Sequence, residues 1–472
     1  MKAAEDRGEA YEGGRVPPHN GGGPTGGGEI SGNRRLRLPK TFAALRHRNF
    51  RLFYAGQFAS LIGTWMQDTA RQWLIVLLAA PGATLVQAAQ RDSAAAQQAN
   101  LYLGMVATAA SLPMLFGALY GGIVADRYPK RSIILWAQAA QMVLAFTFAW
   151  LTLSGHIQIW QVLTLALLFG VTTVFDVPAR QSFLVEMVGK EDLPNAIALQ
   201  SSIFNGARVV GPALTGILLG LLTGGDGVRA LGWCFAANGV SYLFVITGLL
   251  MMRGDFSRQG AGTAASPLEA IREVANFLKA YRPAFLLFCL VTAFSLFMAP
   301  DFVLLPSLAR FTLGADVRGY GLLLSCRGAG ALIGALTMAT LSTYPRKGRI
   351  LMAAALTFPV LEILLALNRS LTVACILGAM IGFAVIAFLA TANSLLQASS
   401  PDALRGRVMS IYSLILMGLT PVGSLWTGAV AKTAGAPAAI AAGGILMGLV
   451  ALFTVFRYPA LRRAGLSLPE RL

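Results

Sequence analysis

The sequence is poor in the side chains that build metal sites and many active sites. Its 472 residues include three histidines and four cysteines. The histidines lie outside the long apolar runs and the cysteines lie inside them, a pattern that predicts neither a metal centre nor a disulfide framework. Apolar runs without histidine offer no evident nucleophile–base pair or metal site. Catalysis within them is therefore the least favoured interpretation, and no cofactor is expected.

Charge is scarce as well. Charged residues make up 12% of the chain, against roughly 25% in a typical soluble domain, whereas 56% of the residues are hydrophobic. The composition therefore predicts an integral membrane protein surrounded by a lipid bilayer. The net charge of +17 is carried by basic residues that lie mostly in short segments between apolar runs. This placement indicates membrane topology and argues against a nucleic-acid partner.

Apolar runs of about 20 residues, the length that crosses a bilayer, recur along the chain. We predict twelve membrane-spanning helices, at residues 50–80, 101–125, 131–153, 158–180, 195–222, 231–252, 284–309, 318–341, 350–367, 371–397, 407–431 and 437–457. Basic residues concentrate before the first run, in alternate loops and after the last run, so both termini are expected in the cytoplasm. The predicted fold class is an all-α, multi-pass protein of the cytoplasmic membrane.

The longest inner connection divides these runs into two sets of six. Tyr128-Pro-Lys-Arg131 after the second run echoes Tyr344-Pro-Arg-Lys347 after the eighth, which indicates an internal repeat. Leu268, Ile271 and Val274 follow helical spacing and predict an amphipathic helix in the connection. The predicted organisation is a disordered Gly-rich tail at 1–39, a six-helix bundle at 40–252, a cytoplasmic linker at 253–283, a second bundle at 284–457 and a cytoplasmic tail at 458–472.

A densely charged turn follows the second run. Residues 122–131 read Gly-Ile-Val-Ala-Asp-Arg-Tyr-Pro-Lys-Arg. This segment resembles the loop between helices 2 and 3 of the major facilitator superfamily, Gly-x-x-x-Asp-Arg-x-Gly-basic-basic, and departs from it only at Pro129. The resemblance implies that the Asp126 carboxylate meets the positive end of the eleventh span. The expected cytoplasmic gate consists of Gly122, Asp126, Arg127, Lys130, Arg131, Arg405 and Arg407.

Other segments are similar to one branch of that superfamily. Residues 63–68, 176–186 and 195–200 resemble the exporter branch that includes the enterobactin exporter and macrolide efflux proteins. The resemblance covers about residues 41–457. It implies two pseudo-symmetric bundles around a midplane substrate site, and export of siderophore-like or drug-like amphiphiles, with protons as the exchanged ion. An importer or a lysophospholipid-type lipid transporter of the same fold is the alternative, and a monomer is expected.

The fifth span contains a recognisable run of small residues and proline. Gly206 is followed by Gly211-Pro212 and Gly216. This run resembles the Gly-Pro-x-x-x-Gly motif of exporters that exchange substrate for protons. Proline removes a helix hydrogen bond and permits a bend, and the glycines let another helix approach closely. One family feature is missing, because the fourth span lacks the mid-membrane arginine of drug–proton antiporters.

Charged residues inside the apolar runs are costly and are functional candidates by default. Asp68 is the first candidate for proton coupling, with Arg71 on the same helix face, and Asp301 is the second. Burial favours the neutral acid and a neighbouring arginine favours the ionised one, so a rearrangement can bind or release a proton. A static Asp68–Arg71 ion pair is the alternative.

The substrate cavity is expected between the two sets of helices. Glu362 is expected to be structural, because the ninth span is peripheral in proteins of this resemblance. The predicted cavity residues are Trp65, Asp176, Arg208, Phe294 and Arg327.

Overall fold

Long apolar helices joined by short turns make up the structure, a computed structural model that describes residues 40–79, 94–222, 227–254, 267–341 and 344–458. These residues contain no strand, which confirms the all-α prediction. The tails predicted at 1–39 and after Tyr458 lie outside the described residues. The helices are α1 (Arg48–Ala79), α2 (Ala94–Arg127), α3 (Lys130–Leu153), α4 (Ile159–Gly189), α5 (Glu191–Leu219), α6 (Gly227–Leu250), α7 (Pro267–Ala280), α8 (Arg282–Phe297), α9 (Ala299–Ser307), α10 (Val317–Thr340), α11 (Lys347–Leu367), α12 (Leu371–Ser399), α13 (Asp402–Gly418) and α14 (Thr420–Arg457).

Two glycines break what would otherwise be very long helices. Gly189 separates α4 from α5 at a φ of 72°, and Gly435 interrupts α14 at a φ of 84°. Both angles lie in the left-handed region, which glycine adopts without the steric cost of a Cβ atom. The chain therefore leaves one helical direction and starts another at each position.

Ten segments of the described residues are long and apolar enough to cross a membrane. α1 is not among them, because its charged and polar residues, including Asp68 and Arg71, dilute its apolar sequence. Leu404–Arg457 counts as one segment of 54 residues. A continuous helix of that length would measure about 81 Å, well over twice the ~30 Å thickness of the hydrocarbon core. The break at Gly435 falls within this segment.

The helices α1–α6 pack mainly on one another, as do α8–α14. We call them the first and second sets. Small residues allow backbones to approach within each set. A Cβ atom on Gly121 of α2 would lie 2.1 Å from the carbonyl oxygen of Val174 in α4, and one on Gly382 of α12 would lie 2.0 Å from that of Arg327 in α10. A side chain at either position would force the two helices apart.

Two ends of the helices can be distinguished. The turns at 127–130 and 189–191 lie at one end, where Lys130 meets Glu186, and we call it the Asp126 end. The turn at 154–158 lies at the opposite end, the Gly155 end. The chain breaks at 313–316 and at 435 belong to the Gly155 end as well, since residues next to both line a pocket beside Asn100 near the start of α2.

The two sets touch most extensively along two helix pairs, from the middle of the helices towards the Gly155 end. In the α2–α14 pair, a Cβ on Gly104 would lie 2.7 Å from the Cα of Gly428, and the Asn100 side chain donates to the Ala431 carbonyl at 2.9 Å. In the α5–α10 pair, the Ser325 hydroxyl donates to the Val209 carbonyl at 3.1 Å. These contacts close the space between the sets at the Gly155 end.

Close backbone contacts of this kind do not occur at three glycines nearer the Asp126 end. A Cβ on Gly122 in α2, Gly206 in α5 or Gly406 in α13 would meet nothing within 4 Å among the described atoms. The first and second sets are therefore in contact at the Gly155 end and leave open space beside these helices at the Asp126 end.

Candidate functional site

A cavity of about 220 Å³ lies between the two sets, at the middle of the helices. The first set contributes residues of α1 and α5, and the second contributes residues of α9, α10 and α12. A mainly apolar wall with a few polar groups is the usual composition of a small-molecule site. The residues that carry charge or an aromatic face are Trp65, Asp68, Arg208, Phe302 and Arg327.

Asp68 anchors a hydrogen-bonded chain that crosses from one set to the other. The Asp68 carboxylate pairs with Arg71 one turn further along α1, and the Gln72 amide donates to its second oxygen at 2.9 Å. The spacings of three and four residues put these side chains on one face of the helix. The hydroxyl of Tyr320 in α10 then donates to the Gln72 carbonyl oxygen at 2.8 Å. Tyr320 is fully buried and stacks on Trp73, so this link is fixed in place.

Arg208 presents a cation held by aromatic faces. Its guanidinium carbon lies 5.0 Å from the ring centre of Trp65 and 5.3 Å from that of Phe204. The buried Nε atom of Arg208 has no hydrogen-bond partner among the described residues. No aspartate or glutamate among those residues forms an ion pair with Arg208. Stacking on aromatic rings stabilises a cation without neutralising it. The positive charge therefore remains available to the cavity.

Pro212 explains the backbone geometry next to Arg208. Proline has no N–H, so the Arg208 carbonyl one turn earlier loses its helical donor. That carbonyl faces α10, where a Cβ on Gly328 would lie 2.9 Å away from it. Gly211 meets α1 in the same way, since its Cβ would lie 2.5 Å from that of Trp65. Gly216 has more room, with Arg318 of α10 at 3.5 Å.

Asp301 and Arg327 form an ion pair on the wall of the cavity in the second set. The two side chains are 2% and 9% exposed. The Arg327 guanidinium also lies 4.8 Å from the ring centre of Phe302. Of the predicted cavity residues, Trp65, Arg208 and Arg327 line this cavity, and their contact with a substrate stays a prediction.

Asp176 and Phe294 do not line it. Asp176 pairs with Arg180 and accepts a hydrogen bond from Gln138, because that face of α4 turns towards α3 inside the first set. Phe294 stacks on Phe388 with ring centres 4.9 Å apart, inside the second set. Both side chains therefore lie away from the cavity in which they were expected, since helical spacing alone does not tell which helix faces the other set.

The predicted gate residues do not meet across the two sets in this structure. Asp126 and Arg127 are exposed, and Asp126 makes no hydrogen bond or ion pair with any described residue. Lys130 pairs with Glu186, and Arg131 donates to the Leu250 carbonyl at 3.3 Å, both within the first set. The open space beside Gly122 in α2 and Gly406 in α13 is the physical reason, because these two helices contact each other further from the Asp126 end, where Leu115 lies next to Gly418.

Two gate residues of the second set have partners of their own. Arg405 donates to the Gln397 carbonyl at 3.1 Å. Arg407 pairs with Glu273 of α7, the amphipathic helix whose Val274 and Phe277 are buried against its neighbours. The sequence analysis did not single out Glu273, Tyr320 or Gln72. Of these three residues, only Gln72 could have been predicted from the sequence, because it lies four residues after Asp68 and therefore on the same helix face.

Charged side chains within the apolar helices gather around a central cavity between two sets of helices. This is the arrangement of membrane transporters built like the major facilitator superfamily. Within that superfamily the chain belongs to the transmembrane secretion effector family, whose model matches residues 39–467. The resemblance noted in the sequence is thereby confirmed.

Curated relatives cover most of the chain. The multidrug efflux pump Tap of Mycolicibacterium fortuitum is 26% identical over 77% of this chain and 88% of its own length. The staphyloferrin A transporter of Staphylococcus aureus is 22% identical over 79% and 87%. The enterobactin exporter EntS of Salmonella choleraesuis is 25% identical over 66% and 72%. These relatives are transporters and not enzymes.

Solved structures share the fold. A D-xylose–proton symporter superposes with a TM-score of 0.62 at 14% identity, covering 85% of this chain and 96% of its own. A bacterial homologue of the human lysosomal transporter Spinster gives 0.59 at 16% identity, covering 89% and 97%. The chain is thus a multi-pass membrane transporter of the major facilitator fold.

Proposed function

We propose that the protein exports amphiphilic small molecules, siderophore-like or drug-like, across the cytoplasmic membrane by alternating access, in exchange for protons. The single observation that carries this proposal is the central cavity between the two sets, with charged and aromatic side chains from both. The relatives support the direction and the substrate class, because their names describe a multidrug efflux pump, a siderophore transporter and an enterobactin exporter.

The proposed topology has twelve spans in two six-helix bundles. The count follows when α1 is added to the ten apolar segments and Leu404–Arg457 is divided at Gly435. The bundles then occupy about residues 40–252 and 284–457, with the linker at 253–283 between them. The Asp126 end carries most of the basic turns, so the positive-inside rule assigns it and both termini to the cytoplasm. The carrier works as a monomer in this proposal.

The proposed substrate carries an apolar body with an anionic group. Arg208 and Arg327 lie within electrostatic reach of each other, and both line the cavity. An anionic group between them would relieve their mutual repulsion. Trp65 and Phe302 supply aromatic surface beside the two cations. The cavity therefore suits a ligand that combines aromatic or apolar area with negative charge.

The structure corresponds to the inward-facing state under this topology, since the contacts close the Gly155 end. In the proposed outward-facing state, the Asp126 carboxylate reaches the start of α13 near Arg405 and Arg407. Arg407 must then leave Glu273 on α7, so the linker helix competes with the gate for the same cation. Asp68 binds and releases the exchanged proton in the cavity, and Asp301 is a second candidate.

An export assay tests the direction and the energy source together. In a strain that lacks its major efflux systems, cells that express the gene are expected to accumulate severalfold less of at least one amphiphilic dye from a panel of cationic, neutral and anionic dyes. Dissipating the proton gradient should remove that difference. Accumulation that rises with expression would contradict export and favour the importer, and movement of a labelled lysophospholipid alone would favour the lipid transporter.

A further inference from the structure

Three ionisable side chains are buried together in the second set, beside the cavity. Counted over the whole residue, Asp301 of α9, Arg327 of α10 and Glu362 of α11 are 1%, 7% and 2% exposed. Asp301 and Arg327 form the ion pair described above, and the Glu362 carboxyl lies within electrostatic reach of the same guanidinium. α14 covers Glu362, since a Cβ on Gly444 would lie 3.3 Å from that of Glu362. The cluster has two acids and one base.

Hydrogen bonding does not satisfy the two acids. Neither oxygen of Glu362, nor the second oxygen of Asp301, has a hydrogen-bond partner among the described residues. Asp176 in the first set offers the contrast, because Arg180 and Gln138 engage both of its oxygens. A buried ionised carboxylate without hydrogen bonds is strongly disfavoured and takes up a proton instead.

Other charges do not compensate Glu362. Arg208 of α5 is within electrostatic reach of Arg327, but it faces the cavity and stacks on Trp65. The thiols of Cys326 and Cys375 contact each other between α10 and α12. The remaining charged residues of the helices packed around the cluster lie near helix ends or near the break in α14: Arg282, Arg318, Lys347, Arg349, Lys432 and Arg457.

We propose that Asp301, Arg327 and Glu362 form a proton-binding site that holds one proton at neutral pH, and that Glu362 carries it. One guanidinium can neutralise only one carboxylate, and the contact geometry assigns that role to Asp301. The proposed role differs from the structural one that the sequence analysis expected for Glu362. The proton-binding part of this inference is independent of the transport function, whereas its use in coupling rests on the export proposed above.

Arg327 connects the site to the cavity, because the same side chain lines the cavity and pairs with Asp301. If Arg327 turns from Asp301 towards Glu362, the Glu362 carboxyl can lose its proton to cavity water and Asp301 can take one up. An anionic ligand that draws Arg327 into the cavity also moves the guanidinium away from Asp301, and so changes which of the two carboxyl groups holds the proton. Occupancy of the cavity and protonation of the cluster are coupled through this one arginine.

Infrared spectroscopy of the purified protein in lipid bilayers tests the site directly. At neutral pH the wild type is expected to show the C=O stretch of a protonated carboxyl group, with the small shift in D2O that an exchangeable proton gives. Glu362→Gln should remove this band. Asp176→Asn is the matched control, because Asp176 is also buried but both of its oxygens have hydrogen-bond partners, and the band should remain.

Absence of the band in the wild type, or its persistence in Glu362→Gln, would overturn the proposal. Should Glu362→Gln fail to fold, Glu362→Asp replaces it, and an unchanged band frequency there would count equally against Glu362. The coupling role is measured with the dye panel, where Glu362→Gln should make export insensitive to the proton gradient. A wild type that shows the band and exports no dye would refute the proposed function and leave the proton site standing.

Discussion

Gly104→Val is expected to reduce export to the level of cells without the protein. The Cβ at this position would lie 2.7 Å from the Cα of Gly428 and 2.9 Å from the Ser424 carbonyl oxygen. Both neighbours are backbone atoms, which cannot rotate away. Overpacking of this kind costs about 1–3 kcal/mol, and an upper cost of ~3 kcal/mol would shift the balance between the two states by about a hundredfold.

In the proposed cycle, Gly104→Val destabilises only the state in which the two sets are closed at the Gly155 end. Gly104 and Gly428 meet where the sets close at the Gly155 end, so the larger side chain prevents closure and holds the carrier open there. Gly227→Val is the control, because a Cβ at Gly227 meets nothing within 4 Å of described atoms. Export is measured with the dye panel, and the amount of folded protein by fluorescence-detected size exclusion. Wild-type export by a folded Gly104→Val carrier would contradict the proposed closure.

Asp68→Asn is expected to lower the part of export that depends on the proton gradient at least tenfold. Asparagine keeps the size and can still accept a hydrogen bond from Gln72, but it cannot bind and release a proton. The Asp68 side chain is 33% exposed in the cavity, so the protein should tolerate the change. Arg71 loses its ion-pair partner and its positive charge remains in the cavity.

Asp316→Asn is the matched control for that experiment. Asp316 caps α10 by accepting a hydrogen bond from the Gly319 N–H at 2.9 Å, at the Gly155 end. Asparagine caps a helix about as well as aspartate. Asp316→Asn therefore removes one carboxylate without loss of the cap, and export should stay unchanged. Full export by Asp68→Asn across a range of proton gradients would remove Asp68 from the mechanism.

The sequence predicted the fold well because its signals are local or repetitive. Apolar runs of bilayer length and the charged turn at 122–131 specify the class, and the spacing of Asp68 and Arg71 on one helix predicts their contact. Trp65, Arg208 and Arg327 were placed in the cavity for a similar reason, since each is a large or charged residue in an apolar helix.

Long-range pairings were beyond the sequence. Tyr320 reaches Gln72 across 248 positions of the chain, and no spacing rule links the two. Glu362 could be seen as an intramembrane acid, but its burial against Arg327 depends on how α9, α10 and α11 pack. The predicted contact of Asp126 with Arg407 belongs to a different state of the carrier in the proposed cycle, because at present Glu273 holds Arg407.

Reciprocal motion of the two ends is measured most directly by distances between paired spin labels in lipid bilayers. One pair of labels replaces Gln98 and Thr433, exposed residues on α2 and α14 near the Gly155 end, and the other replaces Tyr128 and Ser410 at the Asp126 end. Alternating access predicts that lowering the pH or adding a transported dye lengthens one distance and shortens the other. Two distances that stay fixed, or that lengthen together, would contradict it.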